Sequence, residues 1–170
     1  YYQNLSSDRI HLSVELEADR MLNLLLDHKE VISERNVVME ERRMRYDDDP
    51  QNYLYEETIA AAFKAHPYRW PVIGWMSDIE SIERDDLLNH YRANYSPDNA
   101  FIVVAGDVNT KDIVEKIRKE FGRIPPSKIK RHTVSTKEPS QTGERRIYLK
   151  KEAELPFITM AYHTPVFPHK

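Results

Sequence analysis

The sequence contains no cysteine and no long hydrophobic run. The absence of cysteine excludes a disulfide framework, a cysteine nucleophile and any metal site built on thiolates. No apolar run approaches the length of about 20 residues that a membrane-spanning helix needs, so no membrane span is predicted. The formal net charge of −3 gives no reason to expect nucleic acid or an anionic membrane as a partner. Because the chain has seven histidines and no cysteine, any zinc site in it would use nitrogen and oxygen ligands.

The composition is that of a globular protein. Of the 170 residues, 40% are hydrophobic and 31% charged, which provides enough apolar material for a core. This length fits one ordinary domain, or one domain together with part of another. The sequence leaves the cellular compartment open.

The most informative stretch is a predicted helix over residues 33–46, with the sequence SERNVVMEERRMRY. Ser33 is a suitable N-cap, and Pro50 forbids continuation of the helix. At about 100° per residue, Glu41 falls between Val37 and Val38 in the middle of an apolar stripe. Glu34 lies two turns earlier on the same face, so both carboxylates can point toward one site.

Two interpretations of Glu41 remain open on helix geometry alone. It can form an ordinary ion pair with Arg45 at i,i+4, or with a basic residue elsewhere in the fold. Alternatively it binds a cation, since desolvating an unpaired carboxylate costs several kcal/mol. The spacing of the acids does not by itself establish a metal site.

Several segments, in the same order, resemble the pitrilysin-type (M16) zinc peptidases, also called inverzincins. They are ERNVVMEE at 34–41, DDDP at 47–50, DRM at 19–21, HPYRWPVIGW at 66–75 and NAFIVVAGD at 99–107. The resemblance implies that Glu41 is the third zinc ligand and that Glu34 is an auxiliary acid supporting the site. It also implies a zinc-dependent endopeptidase that uses metal-activated water on a peptide or protein substrate.

The sequence departs from the family at its principal motif. No H-x-x-E-H occurs, although that element supplies two histidine ligands and the catalytic glutamate. We therefore expect the chain to be a fragment of a longer peptidase, inactive and largely free of Zn²⁺ by itself. Its expected partners are the segment that carries the motif and a second M16-like half, supplied by a paired subunit or a second copy. The alternative is a non-catalytic M16-like structural or partner-binding subunit, although retention of both acids argues against it.

The predicted fold class is α+β, a mixed β-sheet with helices packed on one face, in incomplete form. Helices are predicted from residue 6 to about 27, over 51–65 with Tyr55 and Ile59 buried, over 84–95, and from Asn109 or Thr110 to 121. Strands are predicted at 100–105, 145–150 and 156–163. The expected organisation is the C-terminal part of a first unit at 1–121, a linker at 122–143 and the opening strands of a next unit at 144–170. The loop at 66–75 is interpreted either as a packed loop or as a wall of the substrate cleft.

Overall fold

The structure is a computed structural model, and it describes residues 1–131 and 133–164. Within these residues the chain forms six α-helices: α1 Ile10–Asn23, α2 His28–Arg42, α3 Pro50–Ala62, α4 Met76–Ser81, α5 Arg84–Asn94 and α6 Thr110–Phe121. Short 3₁₀ turns lie at Ser7–Arg9, Pro67–Arg69 and Pro97–Asn99, and a π turn at Arg43–Asp47 follows α2 directly. None of the helices in this part of the chain has the length and apolar character needed to cross a membrane.

Two helix starts follow from local capping chemistry. Asn109 accepts hydrogen bonds from the backbone N–H groups of the next turn, at 3.0 Å and 3.4 Å, and so begins α6 as predicted. Asp49 does the same for α3, with 2.9 Å and 3.0 Å bonds, and Pro50 takes the first helical position. In both cases a short polar side chain satisfies donors that have no partner inside the helix.

The predicted start of α2 at Ser33 is wrong, since the helix begins five residues earlier at His28. The extra turn buries Val31, which is only 6% exposed. Asp27 directly precedes this start and Glu30 lies in the first turn, both favourable residue types there, so the sequence carries an earlier start signal than Ser33.

The described chain divides into two compact units, each built from discontinuous segments. The first consists of Tyr1–His28 and Glu83–His132. Its core contains Val14 and Ala18 of α1 and Ile113 of α6, and α1 packs against α6. Arg84 fastens the start of α5 to the connection after α1, because its Nε donates to the carbonyl of Leu26 at 2.6 Å.

The second unit consists of Lys29–Ile82 and Thr133–Lys170 and contains α2, α3 and α4. Val31 and Ile79 are its buried apolar residues, and Ile79 is the more completely enclosed. Two charged side chains, Arg42 and Glu56, are buried in the same unit. The predicted boundary at 122–143 and the units on either side of it stay predictions.

The predicted mixed sheet is not present among the residues that the structure describes. The runs 100–105, 145–150 and 156–163 contain no strand, and several of their apolar side chains are exposed, with Phe101 at 90% and Ile158 at 89%. A strand exists only when a neighbouring strand takes up its backbone donors and acceptors. The β-branched composition of these runs indicates a local preference, but no such neighbour is formed for them in the described part of the chain.

Candidate functional site

The structure places both predicted site residues on α2. Glu34 is exposed, and Glu41 is partly exposed, with 39% of its side-chain surface accessible to solvent. The Oε1 atom of Glu41 lies 3.0 Å from Nη2 of Arg45, one turn farther along the chain. This is the i,i+4 ion pair that the sequence offered as one of its two interpretations, and at an exposed position such a pair contributes little to stability.

The expected burial of the stripe around Glu41 is wrong for the described structure. Val37 is 55% exposed and Met44 is 67% exposed, so the face that carries the two acids is open to solvent. The helical periodicity placed Glu34, Val37 and Glu41 on one face, but the buried residues of α2, Val31 and Arg42, lie about 80–100° farther around the helix axis from Glu41. Whether Glu41 ligates zinc therefore stays a prediction.

The buried side of α2 carries an arginine that sequence reasoning missed. Arg42 and Glu56 are each 4% exposed. Nη1 of Arg42 donates to Oε2 of Glu56 at 2.9 Å, and Nη2 donates to Oε1 at 2.8 Å. These hydrogen bonds raise the pKa of Arg42 above its usual value. A paired guanidinium and carboxylate is the form in which such charges tolerate burial.

The same guanidinium reaches a third segment of the unit. Nη1 of Arg42 donates to the carbonyl oxygen of Gly74 at 2.8 Å, at the end of the loop between α3 and α4. Gly74 has φ +91°, a conformation that favours glycine. The guanidinium also lies 5.7 Å from the ring centre of Trp75. We call Arg42, Glu56 and Gly74 the Arg42 clasp, since one side chain joins α2, α3 and this loop.

The chain leaves the α-helical path directly after Glu41 and Arg42. The backbone N–H of Asp48 donates to the carbonyl of Arg43 at 2.8 Å, a bond that closes the π turn. Asp47, within the turn, lies 3.6 Å from the guanidinium of Arg42. Single π turns are rare in proteins and occur often at functional sites.

The loop over residues 66–75 is anchored firmly at both ends. At its start, the carboxylate of Glu138 accepts hydrogen bonds of 2.7 Å from three consecutive backbone N–H groups, at residues 64–66. At its end, Arg42 holds Gly74. Between these anchors Tyr68, Trp70 and Val72 are exposed, although the Tyr68 ring also contacts the ring of His66, with the ring centres 4.5 Å apart.

The described residues do not complete a zinc site. They contain no group of three or more histidine, cysteine, aspartate or glutamate side chains arranged to hold a metal ion. A catalytic zinc usually takes three protein ligands and one water. Glu41 has the right chemistry for one of those ligands, because its carboxylate is accessible and its present partner is an exposed arginine.

Comparison with known proteins identifies relatives of the chain. Residues 81–169 match the family model described as the peptidase M16 inactive domain, a range that begins after α2. A zinc protease, PqqE, of Helicobacter pylori is 36% identical over 172 residues, which cover all of this chain and 39% of the relative. A probable mitochondrial-processing peptidase subunit beta of Schizosaccharomyces pombe is 28% identical over 75% of this chain and 28% of the relative. The chain thus spans well under half the length of these proteins.

A solved structure also matches. The crystal structure of a protease from Helicobacter pylori superposes with a TM-score of 0.74 at 37% identity, over 79% of this chain and 32% of that one. The similarity confirms the fold family that the sequence resemblance implies, although the described residues lack the sheet.

Proposed function

The chain belongs to the peptidase M16 family, and we propose that it is part of a zinc-dependent endopeptidase to which it contributes one metal ligand. In this proposal Glu41 binds the zinc and Glu34 acts as an auxiliary acid near it. The two histidine ligands and the catalytic glutamate come from an H-x-x-E-H segment that these 170 residues do not contain. The isolated chain is then inactive as a peptidase.

The observation that carries the proposal is the open face of α2. Glu34 and Glu41 lie seven residues apart on that face, beside the exposed side chains of Val37 and Met44. Apolar side chains at helical spacing are expected to be covered in a complete protein. A segment that covers this face would meet both carboxylates, and it would replace Arg45 as the partner of Glu41.

A bound zinc supplies a water of lowered pKa and polarises the scissile carbonyl of a peptide. Glu41 would provide an anionic oxygen to the metal. Glu34 would not bind the metal itself but would orient the metal ligands or alter the charge around them. The partners in this proposal are a peptide or protein substrate, the H-x-x-E-H segment and a second M16-like half. The Schizosaccharomyces pombe relative is named as a subunit beta, which supports such a paired arrangement.

A second candidate is a non-catalytic M16-like subunit with a structural or partner-binding role. The description of the matched family model as an inactive domain favours it. The presence of both Glu34 and Glu41 favours the peptidase, because a subunit without zinc has no need for two acids on this face.

Zinc content distinguishes the two candidates. We expect the longer polypeptide that contains this chain to hold one zinc by elemental analysis, and Glu41→Gln to lose most of it. Glu40→Gln is the matched control, since Glu40 is the adjacent carboxylate and also pairs with an arginine, Arg43. If Glu41→Gln keeps its zinc while the H-x-x-E-H segment is intact, Glu41 is not a ligand. A longer polypeptide without zinc or peptidase activity would favour the non-catalytic subunit.

A further inference from the structure

Arg42 is the residue next to Glu41, and its side chain points into the unit while the Glu41 carboxylate remains accessible. The guanidinium holds Glu56 of α3 by two hydrogen bonds and the carbonyl of Gly74 by a third. The last turn of α2 is therefore fixed, in position and in rotation about the helix axis, by contacts made one residue beyond Glu41. These contacts therefore also determine the direction in which the Glu41 side chain leaves the helix.

The position of the π turn directly after Arg42 gives the contacts of Arg42 a second effect. Regular helical geometry ends at Arg42, and the turn that begins at Arg43 closes with the bond from the Asp48 N–H. A π turn contains one more residue than the corresponding α turn, so the place where it starts determines how many residues keep the regular α-helical direction of the Glu41 turn. The clasp holds Arg42 at the junction and so sets where the α-helix ends.

A buried ion pair is a poor choice if stability alone is needed. Apolar residues of similar volume often stabilise a core as well or better, because both charges must be desolvated. In the clasp the Nε of Arg42 is buried without a hydrogen-bond partner among the described residues, which adds a further cost. What the pair provides instead is geometry, since a guanidinium binds a carboxylate through two parallel bonds in a defined plane.

We propose that Arg42, held by Glu56, is a positioning residue for Glu41. It sets the rotation of the last turn of α2, and through Gly74 it fixes the loop over 66–75 relative to that turn. The inference deepens the proposed function and rests on it where it concerns zinc. The conformational part concerns this chain alone and is tested without metal.

The first experiment uses the 170-residue chain. In ¹H–¹⁵N NMR spectra, Glu56→Gln is expected to shift the amide signals of Glu41 and Asp48, because the carboxylate that fixes the helix end is lost. Glu57→Gln is the matched control, a neighbouring glutamate on α3 for which the described residues show no ion pair. Unchanged Glu41 and Asp48 signals in Glu56→Gln would overturn the proposal.

The second experiment measures the zinc dissociation constant of the longer polypeptide by competition with a chelator. Changes in residues that orient metal ligands typically weaken binding by about 10–100-fold, and we expect Glu56→Gln to fall in that range. Val31→Ala is the control for stability, because it removes a buried side chain at the other end of α2. If both variants lose similar thermal stability but keep the parent zinc affinity, the clasp is merely structural and the proposal fails.

Glu41→Gln and Arg42→Lys distinguish failure of the positioning role from failure of the proposed function. If Glu41→Gln does not affect zinc binding, the proposed function fails, whatever Glu56→Gln does. If Glu41→Gln abolishes zinc binding and Glu56→Gln leaves it unchanged, only the positioning role is refuted. Should Glu56→Gln fail to fold, Arg42→Lys decides by the same measurements, since it keeps the charge beside Glu56 and loses the two-bond geometry.

Discussion

Replacing Glu56 by alanine is expected to destabilise the unit that contains α2, α3 and α4. Glu56→Ala removes both carboxylate oxygens that accept from Arg42, at 2.9 Å and 2.8 Å. The guanidinium, part of a residue that is 4% exposed, then keeps only the more distant carboxylate of Asp47, at 3.6 Å, as a counter-ion. A hydrogen bond to a charged group contributes about 1.5–3 kcal/mol. Breaking one side of a buried ion pair costs about 3–5 kcal/mol, and we expect a loss of that size in the free energy of unfolding.

Urea unfolding followed by tryptophan fluorescence measures this loss. The sequence has two tryptophans, Trp70 and Trp75, and both belong to this unit. The ring of Trp75 lies 5.7 Å from the Arg42 guanidinium, so its emission is sensitive to the clasp itself. The variants needed are Glu56→Ala, Arg42→Ala and the double variant, with Glu57→Gln as a control expected to stay within about 0.5 kcal/mol of the parent.

The double variant decides whether the two residues act as a pair. We expect the combined change to destabilise far less than the sum of the single changes, because the second removal takes away a group that has already lost its main hydrogen-bond partner. Additivity within about 0.5 kcal/mol would refute the reasoning, since residues in direct contact must show coupling. A loss below about 1 kcal/mol for Glu56→Ala would equally show that the pair is not desolvated as the structure indicates.

Three further predictions concern other parts of the chain. Partial desolvation acts to raise the pKa of Glu138, but the three backbone N–H bonds from residues 64–66 outweigh it and lower the pKa to about 2. The contribution of Glu138 to stability is therefore fully present above its usual pKa and lost as the pH falls through about 2, so thermal unfolding of Glu138→Gln and the parent should converge between pH 5 and pH 2. Asn109→Ala removes the N-cap of α6 and should cost about 1 kcal/mol in urea unfolding, whereas no loss would show that the cap bonds do not persist in solution. Ile79→Ala should cost about 2–5 kcal/mol because Ile79 is the most completely buried large side chain, and a change below 1 kcal/mol would contradict its burial.

Local sequence signals predicted the helices well where capping chemistry was strong. Asn109 begins α6 as predicted, and α5 runs over Arg84–Asn94, close to the predicted 84–95. The third helix was predicted over 51–65 without its cap, Asp49, and it runs over Pro50–Ala62. These signals succeed because they act within one turn of the backbone, between residues that are neighbours in the sequence.

The predictions failed where a contact with a residue distant in the sequence determines which side chain is buried. On α3, the helical pattern indicated that Tyr55 would be buried, but Tyr55 is 58% exposed and the adjacent Glu56 is buried. A glutamate enters the interior only because Arg42, fourteen residues earlier, pairs with it. Nothing in the local pattern of either helix shows that these two side chains meet. The contact of Glu138 with N–H groups more than seventy residues earlier in the chain has no local sequence signal for the same reason.

The sequence by itself indicated the family, because several segments such as ERNVVMEE resemble it in the same order, and that resemblance is what marks Glu34 and Glu41 as candidate site residues. It also determined that Glu34 and Glu41 share one face of a helix, which follows from helical periodicity alone. Only the tertiary structure decided which side of that helix is buried, and it buried Arg42 instead of the apolar stripe around Glu41. Burial depends on which surfaces of distant segments meet, and a charge becomes acceptable in the interior only once its partner from another helix is in place.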